Sequence, residues 1–214
     1  MDEDISIIDS KTRNEKIKIF FINNKRYLIA ILSSIILIIF AYFSYGEIQD
    51  RKTKKLAEKY NNISIKFSTS NKTDVKNELI EIINEKNSTY SPLALYFIID
   101  NEIQSSNEEI NIFFDIIINE VNLDKEIKNL IIYKKALFNA NFETENNLIK
   151  ILNPIINSDS VWKPHALYLL AEYFFDKNQK QKAKEFYNQI LNYKKSNENI
   201  LKETRKRLSR DFSE

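Results

Sequence analysis

Apolar and polar positions alternate with a helical period along almost the whole chain, and one stretch departs from that pattern. Tyr27 to Tyr45 reads YLIAILSSIILIIFAYFSY, 19 residues without a charge, a proline or a glycine. At about 1.5 Å rise per residue such a helix spans roughly 28 Å, close to the hydrocarbon thickness of a bilayer. Lys25 and Arg26 close one end, and Arg51, Lys52, Lys54 and Lys55 follow the other. Tyr27 at one boundary and Tyr42, Phe43 and Tyr45 at the other suit the aromatic belt of a membrane interface. A buried core helix would need protein on every side of this stretch. A cleaved signal peptide fits worse, because the preceding 26 residues are too long for an n-region and no A-x-A site follows. The segment is predicted to be a retained transmembrane helix. The 15 residues on each side carry five Lys or Arg apiece, so a plain count does not orient it. The positive-inside rule weighs short loops over long domains, which places the short N-terminal tail in the cytoplasm.

After the span, residues 47–67 continue without a breaker, so the membrane helix is expected to run on into a polar one. Asp74 is a possible N-cap, followed by Val75, Leu79, Ile80, Ile82 and Ile83 at helical spacing. Further amphipathic segments follow at about 90–103, 107–119, 124–140, 143–157, 162–177, 179–193 and 197–210. Short connectors rich in Asn, Ser and Asp separate them, as helix hairpins require. The chain therefore divides into a tail (1–26), a transmembrane helix (27–45), a helical juxtamembrane linker (46–72) and a helical domain (73–214).

Pro164 to Lys195 is the clearest unit of a repeat. Leu167, Leu170, Ala171 and Phe174 lie on one helix, Asn178 at the turn, and Ala183, Tyr187, Ile190 and Leu191 on the next. A small residue where paired helices touch, an aromatic opposite and a turn residue tolerant of positive φ are the pattern of a tetratricopeptide repeat. Ile132, Ala136, Leu148, Leu152, Ile155 and Ile156 match about 35 residues earlier. Leu95, Ile110, Phe114, Ile117 and Ile118 match about 72 earlier, with a one-residue shift. The expected fold is all-α: one N-terminal transmembrane helix, then a degenerate tetratricopeptide-like α-solenoid of helix hairpins. A four-helix bundle would want fewer and longer helices.

Composition narrows the function. One glycine and three prolines leave few of the residues that tight strand turns favour. Cysteine is absent, which removes thiol nucleophiles, thiolate ligands and disulfides. A net charge of +2 gives no global field for nucleic acid. The single histidine, His165, cannot build a zinc site, and the lone glycine, Gly46, allows neither a P-loop nor a dinucleotide fingerprint. Glu108, Glu109, Glu143, Glu145 and Glu198 fall at helix starts, where they complement the helix dipole. Three N-x-S/T sequons, beginning at Asn62, Asn71 and Asn87, are expected by chance in so Asn-rich a chain. No enzyme, cofactor, metal, nucleic acid or small-molecule substrate is expected.

The tail DEDISIIDSKTRNEKIKIFFINNKRY, the span, the run Gly46-Glu47-Ile48-Gln49-Asp50 and the solenoid together resemble bacterial single-pass proteins with a YfgM-type tetratricopeptide domain. The stretch from Val161-Trp162-Lys163-Pro164-His165 through Lys182-Ala183-Lys184-Glu185-Phe186-Tyr187 to the Arg-rich end is similar to the alphaproteobacterial type. A glycine usually stands in that family where this chain has Asn178. The resemblance implies an inner-membrane anchor, a periplasmic domain, and contact with SecYEG translocon subunits or periplasmic chaperones. A self-associating scaffold of envelope or cell-division assembly is the alternative, and an envelope enzyme a distant third.

Solenoid geometry names the face a peptide would use. The inner helix of each hairpin lines the concave groove, and in the last repeat its outward positions are His165, Tyr168, Glu172, Phe175 and Asp176. An aromatic pair flanked by acids suits an extended or helical peptide. Tyr168 and Phe175 could instead pack against a neighbouring hairpin, and Trp162 is expected to plug the core at the helix start. The basic residues Lys202, Arg205, Lys206, Arg207 and Arg210 read as the solvated face of a helix whose apolar stripe is Ile200, Leu201, Thr204 and Leu208. Anionic lipid or nucleic acid is the other reading of those charges.

Overall fold

The computed structural model describes residues 15–68 and 71–212. Residues 1–14 of the expected tail, Arg13 among them, lie outside the described residues. Among those described, all regular structure is helical and no strand occurs. Residues 15–23 form α1. They are followed by α2 (Lys25–Lys66), α3 (Lys72–Asn84), α4 (Tyr90–Asp100), α5 (Asn107–Glu120) and α6 (Lys125–Asn139), then α7 (Glu145–Ile156), α8 (Lys163–Asp176), α9 (Lys180–Asn192) and α10 (Glu198–Asp211). Contacts divide the chain into two compact units, Met1–Lys55 and Leu56–Glu214.

The first unit holds α1 and most of α2. The apolar stretch of α2 is long and apolar enough to cross a membrane, and none of it is buried. Phe40 is 71% exposed and Tyr42 75%. An apolar surface of this size has no partner among the described residues.

The second unit begins with the end of α2, where Leu56, Tyr60, Ile63 and Phe67 recur at spacings of four, three and four. Ile63 is buried, and Tyr60 and Phe67 meet Phe97 edge to face at 6.0 and 5.2 Å. Residues 56–67 thus supply core to the helical unit as well as following the apolar stretch. The eight helices expected beyond them are all present. α3 starts earlier than expected: Asn71, not Asp74, is its N-cap, its side chain accepting from the Thr73 amide at 3.0 Å. Asp74 sits in the first turn, where it complements the helix dipole. Ser106, Thr144 and Asn197 cap α5, α7 and α10 in the same way. Pro92 and Pro164 fall in first turns, which need no amide donor.

Helix starts recur in two interleaved series. α3, α5, α7 and α9 start at 72, 107, 145 and 180, and α4, α6, α8 and α10 at 90, 125, 163 and 198. In each series the steps are 35, 38 and 35 residues. Packing joins each helix to its neighbours in sequence and, for α3–α5, α6–α8 and α8–α10, to the next but one. Six polar contacts between helices or their flanking turns fall at the same interval. Lys76 with Glu109, Lys86 with Glu120, Glu126 with Ser160, Glu145 with Gln179, Asp159 with Tyr193 and Glu172 with Arg207 are all 33 to 35 residues apart.

The core falls into two clusters. One, from Ile63 to Ile131, is mostly isoleucine, with Leu79, Leu95, Phe113 and Phe114. The other, from Ile132 to Ile200, centres on Leu148, Leu152, Leu167, Leu170, Phe174, Ala183 and Tyr187. Each fully buried aliphatic or aromatic side chain contributes roughly 1.5–3 kcal/mol relative to an exposed one. Asn178 takes the left-handed conformation at φ 60°, as its place in the turn predicts.

Candidate protein-binding face

α8 follows its N-cap Trp162, carries Pro164 in its first turn and turns Ala166, Leu167, Leu170, Ala171 and Phe174 into the core. Tyr168, Glu172 and Phe175 recur at spacings of four and three, so they share another face. That face is covered by α10. The Arg207 guanidinium grips the Glu172 carboxylate in a two-pronged pair, Nε donating to Oε1 at 2.7 Å and Nη2 to Oε2. The Tyr187 hydroxyl donates to the same carboxylate from α9. Arg207 also donates to Asp211 at 2.9 Å, and its guanidinium lies 5.1 Å from the Phe175 ring centre. Phe212 closes the corner, 5.6 Å from Phe175 and 5.8 Å from Tyr187. Tyr168 packs on Tyr187 at 5.7 Å.

Electrostatics favour this closure. Burial alone would raise the Glu172 pKa, but Arg207 and the hydroxyls of Tyr187 and Tyr168 outweigh it and hold the carboxyl below its ordinary range. Burial first, and the Glu172 hydrogen bond second, push the Tyr187 phenol well above its ordinary value. The Glu172 hydrogen bond likewise raises Arg207. A carboxylate, a guanidinium and a phenol so matched stay charged, charged and neutral across the physiological range.

The five expected binding residues therefore separate. Tyr168, Glu172 and Phe175 come together, against α10 rather than around an open groove. His165 lies elsewhere, 6.1 Å from Tyr133 and 5.3 Å from Trp162, which is itself stacked on Tyr133 at 5.9 Å. Burial pulls the His165 pKa down against a hydrogen bond that its ring donates to the Val161 backbone, and its Nδ1 has no hydrogen-bond partner. Asp176 is exposed at the end of α8. Trp162 is half-buried in the second core cluster, as expected of a plug at the helix start. Arg207 corrects the expectation of a solvated basic tail: Lys202, Arg205, Lys206 and Arg210 are exposed, but Arg207 is only 20% exposed and paired. The signal that finds it is register, because Arg207 stands 35 residues after Glu172, one repeat interval on.

Two open clefts lie elsewhere in the helical unit. One of about 740 Å³ borders Lys72, Lys76 and Glu109, and one of about 680 Å³ borders Asn111, Lys135, Phe142, Asn147 and Ile151. Among the described residues, no three of His, Asp and Glu converge in a way that could hold a metal ion. No family model, curated protein or solved structure matches the chain.

Proposed function

We propose that the chain is a membrane-anchored protein–protein interaction module. Tyr27 to Tyr45 crosses the bilayer, residues 73–214 form a degenerate tetratricopeptide-like solenoid of helix hairpins, and the partners are subunits of the Sec translocon or periplasmic chaperones. The observation that carries the solenoid is the repeat interval. Two interleaved series of helix starts share the steps 35, 38 and 35, and polar contacts join residues 33 to 35 apart. A stack of similar hairpins puts residue i beside its counterpart one repeat on, and the tetratricopeptide period is about 34. The anchor is supported by a fully unburied apolar stretch in α2. Placement in a bacterial inner membrane, with the N-terminus cytoplasmic and the domain periplasmic, rests on the family resemblance and on the short basic tail. The Tyr168–Glu172–Phe175 face serves a partner only when α10 leaves it.

Crosslinking of the full-length protein in native membranes, with capture in mild detergent, tests the partner class. Translocon subunits or periplasmic chaperones should dominate the crosslinked species. Self-crosslinked species alone, surviving dilution, would replace the module by a scaffold. Protease added after outer-membrane permeabilisation should digest residues 47–214, and their protection would reverse the orientation.

A further inference from the structure

α1 has no role in that reading. Its described part is residues 15–23, and the five apolar side chains there are all exposed: Ile17 48%, Ile19 56%, Phe20 56%, Phe21 57% and Ile22 63%. Ile17, Phe20 and Phe21 stand at i, i+3 and i+4, so they share one face, and Phe20 and Phe21 touch edge to face at 6.1 Å. Lys16 and Lys18 fall about 90–110° to either side of the middle of that face, and Ile19 and Ile22 on its far side. Between residues 15 and 26 the charges are Glu15 against Lys16, Lys18, Lys25 and Arg26. An apolar face edged by lysines is complementary to a layer of anionic headgroups over acyl chains, because the ammonium groups reach outward while the stems and rings stay in the apolar layer.

Position supplies the occupant. Only Asn24 separates α1 from α2, and two helical hydrogen bonds meet at it: its amide donates to the Phe20 carbonyl at 3.0 Å, and its carbonyl accepts from the Leu28 amide at 2.9 Å. A straight continuation of the span would lift Phe20 about 10 Å, and Ile17 about 15 Å, beyond Tyr27. The headgroup layer is only about 5–8 Å thick, so Ile17 and the two phenylalanines would then stand in water. Only a bend at Asn24 would lay them back onto the leaflet. We propose that α1 is an interfacial anchor: it lies along the leaflet on the N-terminal side of the span, seating Ile17, Phe20 and Phe21 at the acyl boundary, with Lys16 and Lys18 on anionic lipid headgroups. This rests on α2 crossing the bilayer.

The chain has no cysteine, so single-cysteine nitroxide scanning needs no background mutation. Full-length protein with Ile17→Cys, Ile19→Cys, Phe20→Cys, Phe21→Cys or Leu37→Cys is labelled in phosphatidylcholine bilayers with or without phosphatidylglycerol. Collisions with oxygen and with a water-soluble nickel chelate report depth. With phosphatidylglycerol present, labels at 17, 20 and 21 should lose nickel collisions while the label at 19 keeps them, and Leu37 should be deepest. Lys16→Gln with Lys18→Gln should abolish the gain from phosphatidylglycerol. A smooth rise in water exposure from 21 to 17, with Leu37 still deep, overturns the interfacial helix and leaves the span standing. Protection that is equal without phosphatidylglycerol overturns the headgroup contact. Water exposure at Leu37 overturns the span itself.

Discussion

The two ends of the described helical unit are closed by different physics. At the N-terminal end, α2 lays Leu56, Tyr60, Ile63 and Phe67 on α3 and α4, and the contact is aliphatic and aromatic. Its ion pair, Lys59 with Glu81, stands at the surface with Glu81 69% exposed. At the C-terminal end, α10 brings Ile200, Leu201 and Leu208 to the core and adds a charged pair, Arg207 with Glu172, at 20% and 26% exposure. A terminal helix is held by few neighbours. An apolar contact holds it without fixing a register, whereas a two-pronged guanidinium–carboxylate pair ties α10 to one position on α8. A charge left behind in a half-buried site is costly, so the C-terminal end is also the more fragile to single substitutions.

The largest expected effect tests whether the α8 face is closed. Tyr168→Ser together with Phe175→Ser removes both rings beneath α10. On the large-to-small scale, discounted for partial exposure, the pair should cost about 3–5 kcal/mol. Thermal unfolding of the full-length protein in detergent, followed by circular dichroism, reads it. Unchanged stability would mean that α10 does not rest there and that the aromatic pair is free for a partner.

The charged closure is weaker and can be isolated. Arg207→Ala should cost about 2 kcal/mol, because Glu172 stays half-buried without its cation. Lys59→Ala at the other end should cost under about 0.5 kcal/mol, since exposed pairs contribute little. The pH dependence follows from the sign of the shift. Glu172 is held below its ordinary 4.5 in the folded chain. Its contribution is therefore complete above that value and is lost as pH falls through the lower, folded pKa. The gap between wild type and Arg207→Ala should shrink as pH falls below 4.5. Equal costs at the two ends, or a gap independent of pH, would erase the contrast.

The α8–α9 hairpin offers a middle-sized test. Ala183 is fully buried where α9 meets α8. Ala183→Leu should overpack that contact by about 1–3 kcal/mol. Lys182→Leu, one position round, loses a surface pair with Glu145 and should change stability by less than about 0.5 kcal/mol. Equal melting temperatures for the two variants would mean that the helices meet along a different line.

What could be read from the chain before its structure depended on distance in sequence. The eight helices beyond α2, the buried Ala183 and Tyr187 and the left-handed Asn178 follow from local spacing and turn chemistry, and the most regular unit, 164–195, carried them. Leu56, Tyr60, Ile63 and Phe67 were hidden because they sit sparsely among charged residues, where the pattern reads as a polar linker. Asp74 outranked Asn71 as a cap because both are good cap residues and only the backbone decides between them. The closure of α8 by Arg207 and Phe212 was illegible for another reason. In a basic stretch every Arg and Lys looks solvated, and only the repeat interval points one of them at Glu172.

The smallest expected effect separates the two halves at their turns. With one glycine in the chain, the left-handed positions after α3, α4 and α8 are filled by Lys86, Glu102 and Asn178, at φ 53°, 49° and 60°. At two of them the backbone closes a Schellman motif: the Ile103 amide donates to the Ile98 carbonyl at 3.0 Å, and the Gln179 amide to the Phe174 carbonyl at 2.9 Å. Left-handed backbone costs an ordinary L-residue roughly 1 kcal/mol, and asparagine less. Glycine removes that strain but has more freedom to lose on folding. Glu102→Gly should therefore stabilise by about 0.5–1 kcal/mol, which for a chain of this size raises the melting temperature by about 2–3 °C. Asn178→Gly should gain less than half as much. Lys86→Gly should fall between them, because it also gives up a half-exposed pair with Glu120. The order Glu102, Lys86, Asn178 is the test. A loss of stability at Glu102→Gly would mean that the turn after α4 is not left-handed, and an equal gain at all three would mean that asparagine carries no advantage at the hairpin whose turn was legible in the chain.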